Sequence, residues 1–408
     1  MFDNLNYMVS YMKFKKLTIG IPREIMEQEN RVAAIPETVS LMVKEGASVI
    51  VEKNAGRGSY FNDDDYIARG ASIEEDIQTL FDESDIILKV KEPKFNTTVN
   101  MHEIDMMKEG QVLITFLHPA NPVNHEMIQK LAAKGVTSFS LDCIPRITRA
   151  QTMDALTSMS TVAGYKGILS AAYRLPKFMP MISTAVGIIR PATVFVLGAG
   201  IVGLQSLATA KRLGAVIYAA DIRPDAEEQA TSLGAKIIPT GVSPEKALGD
   251  GGYARHLPED LLKEERQALH GIIKEADIVV LSALIPRKMA PVLITEEMVK
   301  MMKPGSTIVD ISVDQGGNCE LTEAGRVCVK HDVYIDGTQN IPGSVPSTAS
   351  LLFAQNIYHL LELLADRGKI NVDLDDEIIA SSLVTREGKL VNRDVLDELE
   401  LYRQEVEQ

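Results

Sequence analysis

Short β-branched runs alternate with amphipathic segments along most of this chain, and that alternation commits it to a parallel α/β sheet. Parallel neighbours need a long crossover, usually a helix. The first third predicts strands at 17–21 (LTIGI), 48–52 (SVIVE), 85–90 (DIILKV), 111–116 (QVLITF) and 136–140 (VTSFS). Helical patterns such as 36–45 and 122–134 lie between them. A second series opens at Thr193, with strands at 193–197 (TVFVL), 216–220 (VIYAA), 236–238, 277–282 (DIVVLS), 306–311 (STIVDI) and 333–336. Two successive series predict an α/β protein of two Rossmann-like domains with parallel sheets, separated by a cleft. The long helical pattern at 347–366 opens with Ser347 and Thr348, which can cap it. It is expected to return to the first domain and close it. The domains are therefore drawn as 13–155 plus 346–390, and 156–345. Residues 1–12 are read as a disordered extension, and 391–408 as a charged tail. The chain after Arg386 is expected to be surface helix or disorder. The stretch 240–256 is rich in Gly and turn residues and is a candidate mobile loop.

Composition narrows the partners. The formal net charge of −14 repels phosphate backbones, so nucleic acid is not an expected partner, nor is anionic lipid. Three cysteines, Cys143, Cys319 and Cys328, form no metal-spaced cluster and fit a reducing cytoplasm. No metal is expected. No signal peptide is visible, and no apolar run is long enough to span a membrane.

The sharpest local signal is Gly198-Ala199-Gly200-Ile201-Val202-Gly203, which follows TVFVL and opens a helical pattern from about 201 to 213. Strand before and helix after are the two contexts that a dinucleotide fingerprint requires. Gly198 permits the tight turn, Gly200 lets the backbone approach a pyrophosphate, and Gly203 lets helix and strand pack closely. The helix start then offers unpaired N–H groups to the phosphates. Asp221 ends the next strand. A carboxylate there accepts hydrogen bonds from both ribose hydroxyls of NAD and repels a 2′-phosphate. Arg223, close by, would favour NADP, but the strand-end place of Asp221 weighs toward NAD. Ala283, Leu284 and Ile285 follow another strand and would line the same cleft, although core packing also accounts for them. Asp310 and Asp314 flank a further strand end, where loop structure explains them equally well.

Residues 145–165 (PRITRAQTMDALTSMSTVAGY) concentrate hydrogen-bonding side chains: Arg146, Arg149, Gln151, Asp154, Thr157, Ser158 and Ser160. Asp154 can hold a nicotinamide carboxamide, and Gln151 a carboxamide or ribose. Hydride transfer needs mainly distance and alignment, which such contacts supply. A capped linker helix with Asp154 as a surface charge is the plainer alternative.

RITRAQTMDAL followed by AGY resembles the polar loop of the NAD(H)-binding domain I of proton-translocating NAD(P) transhydrogenases, within the alanine dehydrogenase/transhydrogenase superfamily. VLGAGIVGLQSLATAKRLGAVIYAADIRP, GGYA at 251–254, ALIPRKMAPVLITEEMV at 283–299 and KPGSTIVDISVDQGGNCELT at 303–322 are similar to that family too. The likeness covers about residues 13–390. It implies a homodimer that binds NAD(H) and exchanges hydride with NADP(H) on domain III of a beta subunit. A small membrane alpha2 subunit would carry the coupled proton, leaving this chain cytoplasmic and peripheral to the inner membrane. Arg146, Gln151 and Asp154 match the family's nicotinamide-orienting residues. Thr157 stands where Ser is more usual and keeps the hydroxyl. Ile201, Asp221, Ile222, Arg223, Gly252 and Leu284 match nucleotide-contacting positions, and Tyr253 matches the tyrosine of the mobile loop. Arg287 replaces a glycine more usual after ALIP.

Alanine dehydrogenase shares the architecture and offers a second reading. Arg31, Lys91 and His118 match residues that bind pyruvate and handle protons in that enzyme. Arg31 and Lys91 also occur as family remnants in transhydrogenase domain I, and a lone histidine such as His118 is more often structural. A non-catalytic NAD-binding module is a third reading.

Overall fold

The computed structural model describes residues 12–247, 255, 257–285, 289–397 and 399–400. The expected N-terminal extension, save residue 12, and positions 398 and 401–408 of the expected tail lie outside the described residues. The chain divides into two compact units. One runs to Met159 and resumes at Gly343, and the other is Ser160–Pro342.

In the first unit, β1 (Thr18–Ile21), β2 (Ser48–Glu52), β3 (Ser72–Glu74), β4 (Ile86–Leu88), β5 (Val112–Thr115) and β6 (Thr137–Ser140) pair in parallel. Their order is β6-β5-β4-β1-β2-β3, so the winding reverses between β1 and β4. β4 and β5 are buried throughout, which is why they read as continuous apolar runs rather than alternating ones. The helix Pro346–Leu364 belongs to this unit and buries Phe353, Ile357, Leu360, Leu361 and Leu364. It starts on Pro346, whose fixed φ suits the first helical position. Ser347 does not cap it, since its hydroxyl donates to the Ser59 carbonyl at 3.0 Å.

Past Arg386 the chain differs in part from the expected surface helix or disorder: Lys389–Leu390 forms a strand, and helix follows at 393–397. Leu383–Arg386 adds antiparallel to β6, and Lys389–Leu390 adds beyond it. Val384 and Val395 are buried, and the Thr385 hydroxyl meets that of Ser138 at 2.7 Å. The surrounding charges mask this short apolar pattern in the sequence, and only the open edge of β6 gives it a partner.

In the second unit, β7 (Thr193–Leu197), β8 (Val216–Ala220), β9 (Lys236–Ile237), β10 (Ile278–Leu281), β11 (Thr307–Asp310), β12 (Val327–Lys330) and β13 (Val333–Asp336) are ordered β9-β8-β7-β10-β11-β13-β12. Only β12 runs antiparallel. One face carries the helix Glu259–Glu275 through Leu261, Leu262, Leu269, Ile272 and Ile273, packed in a cluster with Phe195, Leu197, Val279 and Leu281. The other face packs Leu207 and Ala210, from the helix Ile201–Arg212, with Val194, Val196 and Val280. Both units are thus doubly wound Rossmann-like sheets. In the second, the order reverses between β7 and β10, and the crevice beyond their C-terminal ends is where such a sheet binds ligands.

Candidate functional site

The glycine fingerprint sits at that reversal, and each glycine has a separate steric reason. Gly198 has φ +91°, and a Cβ there would lie 2.8 Å from the backbone of Ser282 and Ala283, at the end of β10. The Ser282 hydroxyl donates to the Gly198 carbonyl at 2.8 Å and ties the two strand ends together. A Cβ on Gly203 would run into the Gly198 carbonyl, so its absence lets the helix Ile201–Arg212 lie against β7. Gly200 is the N-cap of that helix and no side chain caps it. Among the described residues, a Cβ on Gly200 would come near Arg223 Nη2, at 3.7 Å. The open space over Gly200 and the uncapped helix start fit a pyrophosphate.

Asp221 lies just past β8 and is buried. Its Oδ2 accepts from the Ala199 N–H at 2.7 Å and from Arg223 Nη2 at 2.9 Å. Its Oδ1 accepts from the Arg223 N–H at 2.9 Å and from Arg223 Nε at 3.0 Å. The strand-end carboxylate thus stands beside the glycine turn, as a ribose acceptor must. The Arg223 grip on it is invisible in the sequence, where the two residues read as rivals for cofactor choice.

Ile201, Val202 and Ile222 are half-buried around the crevice, and Leu284 is exposed while its neighbour Ile285 is buried. The segment carrying Leu284 is fastened by a residue the sequence reading missed. Asn318, fully buried, accepts from the Ala283 N–H at 3.0 Å and donates to the carbonyls of Ala283 (2.9 Å) and Pro291 (2.8 Å). Asp310 is equally buried and accepts from the N–H groups of Asn318 and Cys319 and from the Thr322 hydroxyl. It is a loop staple. Asp314 accepts from Gln339 at 2.9 Å. Gly252, Tyr253 and Arg287 lie outside the described residues.

A second missed group is Glu265, on the buried side of the helix Glu259–Glu275. Burial, with the Asp221 carboxylate adding to it, pushes its pKa up to about 7. A glutamate at helical spacing from Leu261, Leu262 and Leu269 was the available signal.

The polar loop belongs to the first unit. Thr148–Met153 forms a 3-10 turn that ends at Asp154, and the helix Ala155–Arg174 follows. Asp154 caps that helix: Oδ1 accepts from the Thr157 N–H at 2.8 Å and Oδ2 from the Thr157 hydroxyl at 2.5 Å. Arg146 and Gln151 are exposed. Arg149 instead forms a two-pronged pair with Asp376, at 2.6 and 3.0 Å. Asn356 donates to the Thr152 carbonyl at 2.8 Å and so pins the turn.

The same unit holds the residues of the dehydrogenase reading. Arg31 is buried, with Nε 2.7 Å from Glu29 Oε1 and Nη2 2.5 Å from Glu29 Oε2. His118 Nδ1 lies 2.8 Å from Asp142 Oδ1. Burial opposes the charge on His118, yet Asp142 raises its pKa above the usual histidine value. Lys91 is half-buried, and its N–H donates to Glu24 at 3.3 Å. Among the described residues no cluster of His, Cys, Asp or Glu is placed to hold a metal ion, and no helix is long and apolar enough to cross a membrane.

Two family models match the chain: "Alanine dehydrogenase/PNT, N-terminal domain" over residues 20–163 and "Alanine dehydrogenase/PNT, C-terminal domain" over 167–393. The chain belongs to the alanine dehydrogenase/PNT family. Within this family it is 41% identical, over 92% of its length and 98% of the relative's, to the first portion of the NAD(P) transhydrogenase alpha subunit of Rhodospirillum rubrum. It is 32% identical, over 96% and 99%, to the alanine dehydrogenase of Staphylococcus saprophyticus. The crystal structure of transhydrogenase from Sinorhizobium meliloti superposes with a TM-score of 0.78 at 36% identity, covering 92% of this chain and 99% of that one. These relatives confirm the two Rossmann-like domains expected from the strand series.

Proposed function

We propose that this family member binds NAD(H) and serves as the NAD(H)-side component of an NAD(P) transhydrogenase. The observation that carries the reading is Asp221, buried beside the Gly198–Gly203 turn in hydrogen-bond contact with the Ala199 N–H. Gly198, Gly200 and Gly203 make room for the pyrophosphate, and Asp221 receives the ribose hydroxyls. Ile201, Val202, Ile222 and Leu284 give apolar contact and Arg223 supplies charge, while Gly252 and Tyr253 are assigned to nucleotide contact by the family resemblance alone. Arg146, Gln151 and Asp154 orient the nicotinamide carboxamide, with Thr157 steadying Asp154. The nicotinamide supplies the hydride. The protein's contribution is alignment, since no proton need move at the reacting carbon.

The relatives named as transhydrogenase alpha subunits support a multi-subunit setting. In it this chain, as a homodimer, presents NAD(H) to NADP(H) on domain III of a beta subunit. A small membrane alpha2 subunit couples the exchange to proton movement. The chain is then cytoplasmic and held at the inner membrane through its partners.

The hydrogen bond between His118 and Asp142 favours one other reading, an alanine dehydrogenase-like oxidoreductase, because it would keep a histidine poised for proton exchange. The buried Arg31–Glu29 pair weighs against it, since a keto-acid carboxylate would compete with Glu29 for that guanidinium. The deciding experiment mixes the purified chain with an isolated domain III and follows hydride exchange between NADH and an NADP⁺ analogue. In parallel, NADH oxidation is measured with pyruvate and ammonia. Exchange only with domain III is expected, whereas pyruvate-dependent turnover by the chain alone would overturn the proposal.

A further inference from the structure

A carboxylate offers about four acceptor positions, two on each oxygen. On Asp221 all four are taken: by the N–H groups of Ala199 and Arg223, and by Nε and Nη2 of the Arg223 guanidinium. Of the two backbone bonds, the one from Arg223 closes the local turn and the one from Ala199 joins Asp221 to the glycine turn. The other two come from a single side chain, and they occupy the positions a ribose diol needs. The diol and the guanidinium therefore exclude each other. Giving up a charge-assisted, two-pronged pair is costly unless the guanidinium finds another anion.

That anion has a place. Among the described residues, Arg223 Nη2 lies 3.7 Å from a Cβ built on Gly200, the residue whose bareness opens the start of the helix Ile201–Arg212. The guanidinium thus already overhangs the point where the backbone can approach a pyrophosphate, and its planar fork matches phosphate oxygens. The neighbouring titratable groups at this end of the sheet, Asp225, Glu227 and Glu265, are acidic. Among the described residues it is Asp221 that forms the ion pair with Arg223, at 2.9 Å.

We infer that Arg223 couples the two halves of the nucleotide site, its guanidinium resting on Asp221 in the free protein and transferring to the pyrophosphate when a dinucleotide binds. This rests on the dinucleotide reading above. The exchange makes ribose recognition conditional on phosphate. A nucleoside must evict Arg223 without compensation, while a nucleoside diphosphate or dinucleotide brings the replacement anion with it. The site thereby discriminates against nucleosides by more than the lost phosphate contacts alone.

The test titrates adenosine, ADP and NADH into the wild-type protein, Arg223→Ala and Arg223→Lys, following adenosine by NMR and the others by calorimetry. Arg223→Ala should bind adenosine about fivefold more tightly than wild type, yet ADP and NADH about tenfold more weakly, so the two effects have opposite sign. Arg223→Lys keeps the charge but loses the fork and should fall between. Tighter adenosine binding cannot arise from a misfolded chain. Equal weakening of adenosine and ADP would make Arg223 an ordinary contact and overturn the exchange, as would no change in either. Wild-type protein that binds neither ADP nor NADH would instead defeat the dinucleotide reading, and the exchange with it.

Discussion

Asp221 is shared between the backbone of the glycine turn and a neighbouring guanidinium. Removing it takes away the proposed ribose acceptor and also releases Arg223, the cation that a 2′-phosphate would seek. Asp221→Ala should therefore weaken NADH binding by about 10–100-fold, the equivalent of roughly 1.5–3 kcal/mol for hydrogen bonds to a charged group. Discrimination against NADPH should relax in the same variant. Parallel titrations with NADH and NADPH check this, and an unchanged preference would remove Asp221 from cofactor choice. The place of Asp221 at a strand end beside the glycine turn is legible in the sequence, because strand polarity and spacing put it there. The partners of Asp154 were less so. In the sequence it reads either as a carboxamide ligand or as a surface charge, and in the structure Thr157 engages both its oxygens as a helix cap. A short side chain followed three residues later by a hydroxyl suits either reading. Which one operates depends on what approaches it.

Among the elements, the turn between β7 and the helix Ile201–Arg212 depends on close backbone approach. Gly203 has no room for even one methyl against the Gly198 carbonyl. Gly203→Ala should push the helix off β7 and cost about 1–3 kcal/mol, the usual range for overpacking. NADH affinity should fall with it, because the N–H groups proposed to face the phosphates move too. Thermal unfolding alongside an NADH titration measures both, and a variant with normal melting and normal binding would show the approach to be slack. The glycine pattern announced this packing in advance. The edge strands Leu383–Arg386 and Lys389–Leu390 gave no such warning, since a short strand amid charge acquires meaning only beside β6. Asn318 escaped notice for a related reason. Besides a local bond from the Ser312 hydroxyl, its side chain reaches Ala283 and Pro291, far upstream in the chain, and no local motif encodes those contacts.

Across the whole molecule, buried charge ties stability to pH. Glu265 has a pKa pushed up to about 7, first by burial and then by Asp221. A raised acid keeps its proton in the folded state after the unfolded chain has lost it. Stability should therefore fall as pH rises from the ordinary glutamate value of 4.5 toward 7, and level off above. Glu265→Gln should be nearly neutral at pH 4.5 and stabilising by about 1–3 kcal/mol at pH 8. Urea unfolding at those two pH values checks it, and an equal difference at both would mean the carboxyl titrates normally. The two parallel sheets, the glycine turn and the strand-end carboxylate are written in the order of the residues. Each of these follows from short-range rules of period, steric size and strand polarity. Folding alone brings Arg223 onto Asp221, fastens the Leu284 segment to Asn318 and buries Glu265 near the same carboxylate. Those facts depend on which side chains meet once the helices have packed, and hydrogen bonds and desolvation act over distance in space, not along the chain.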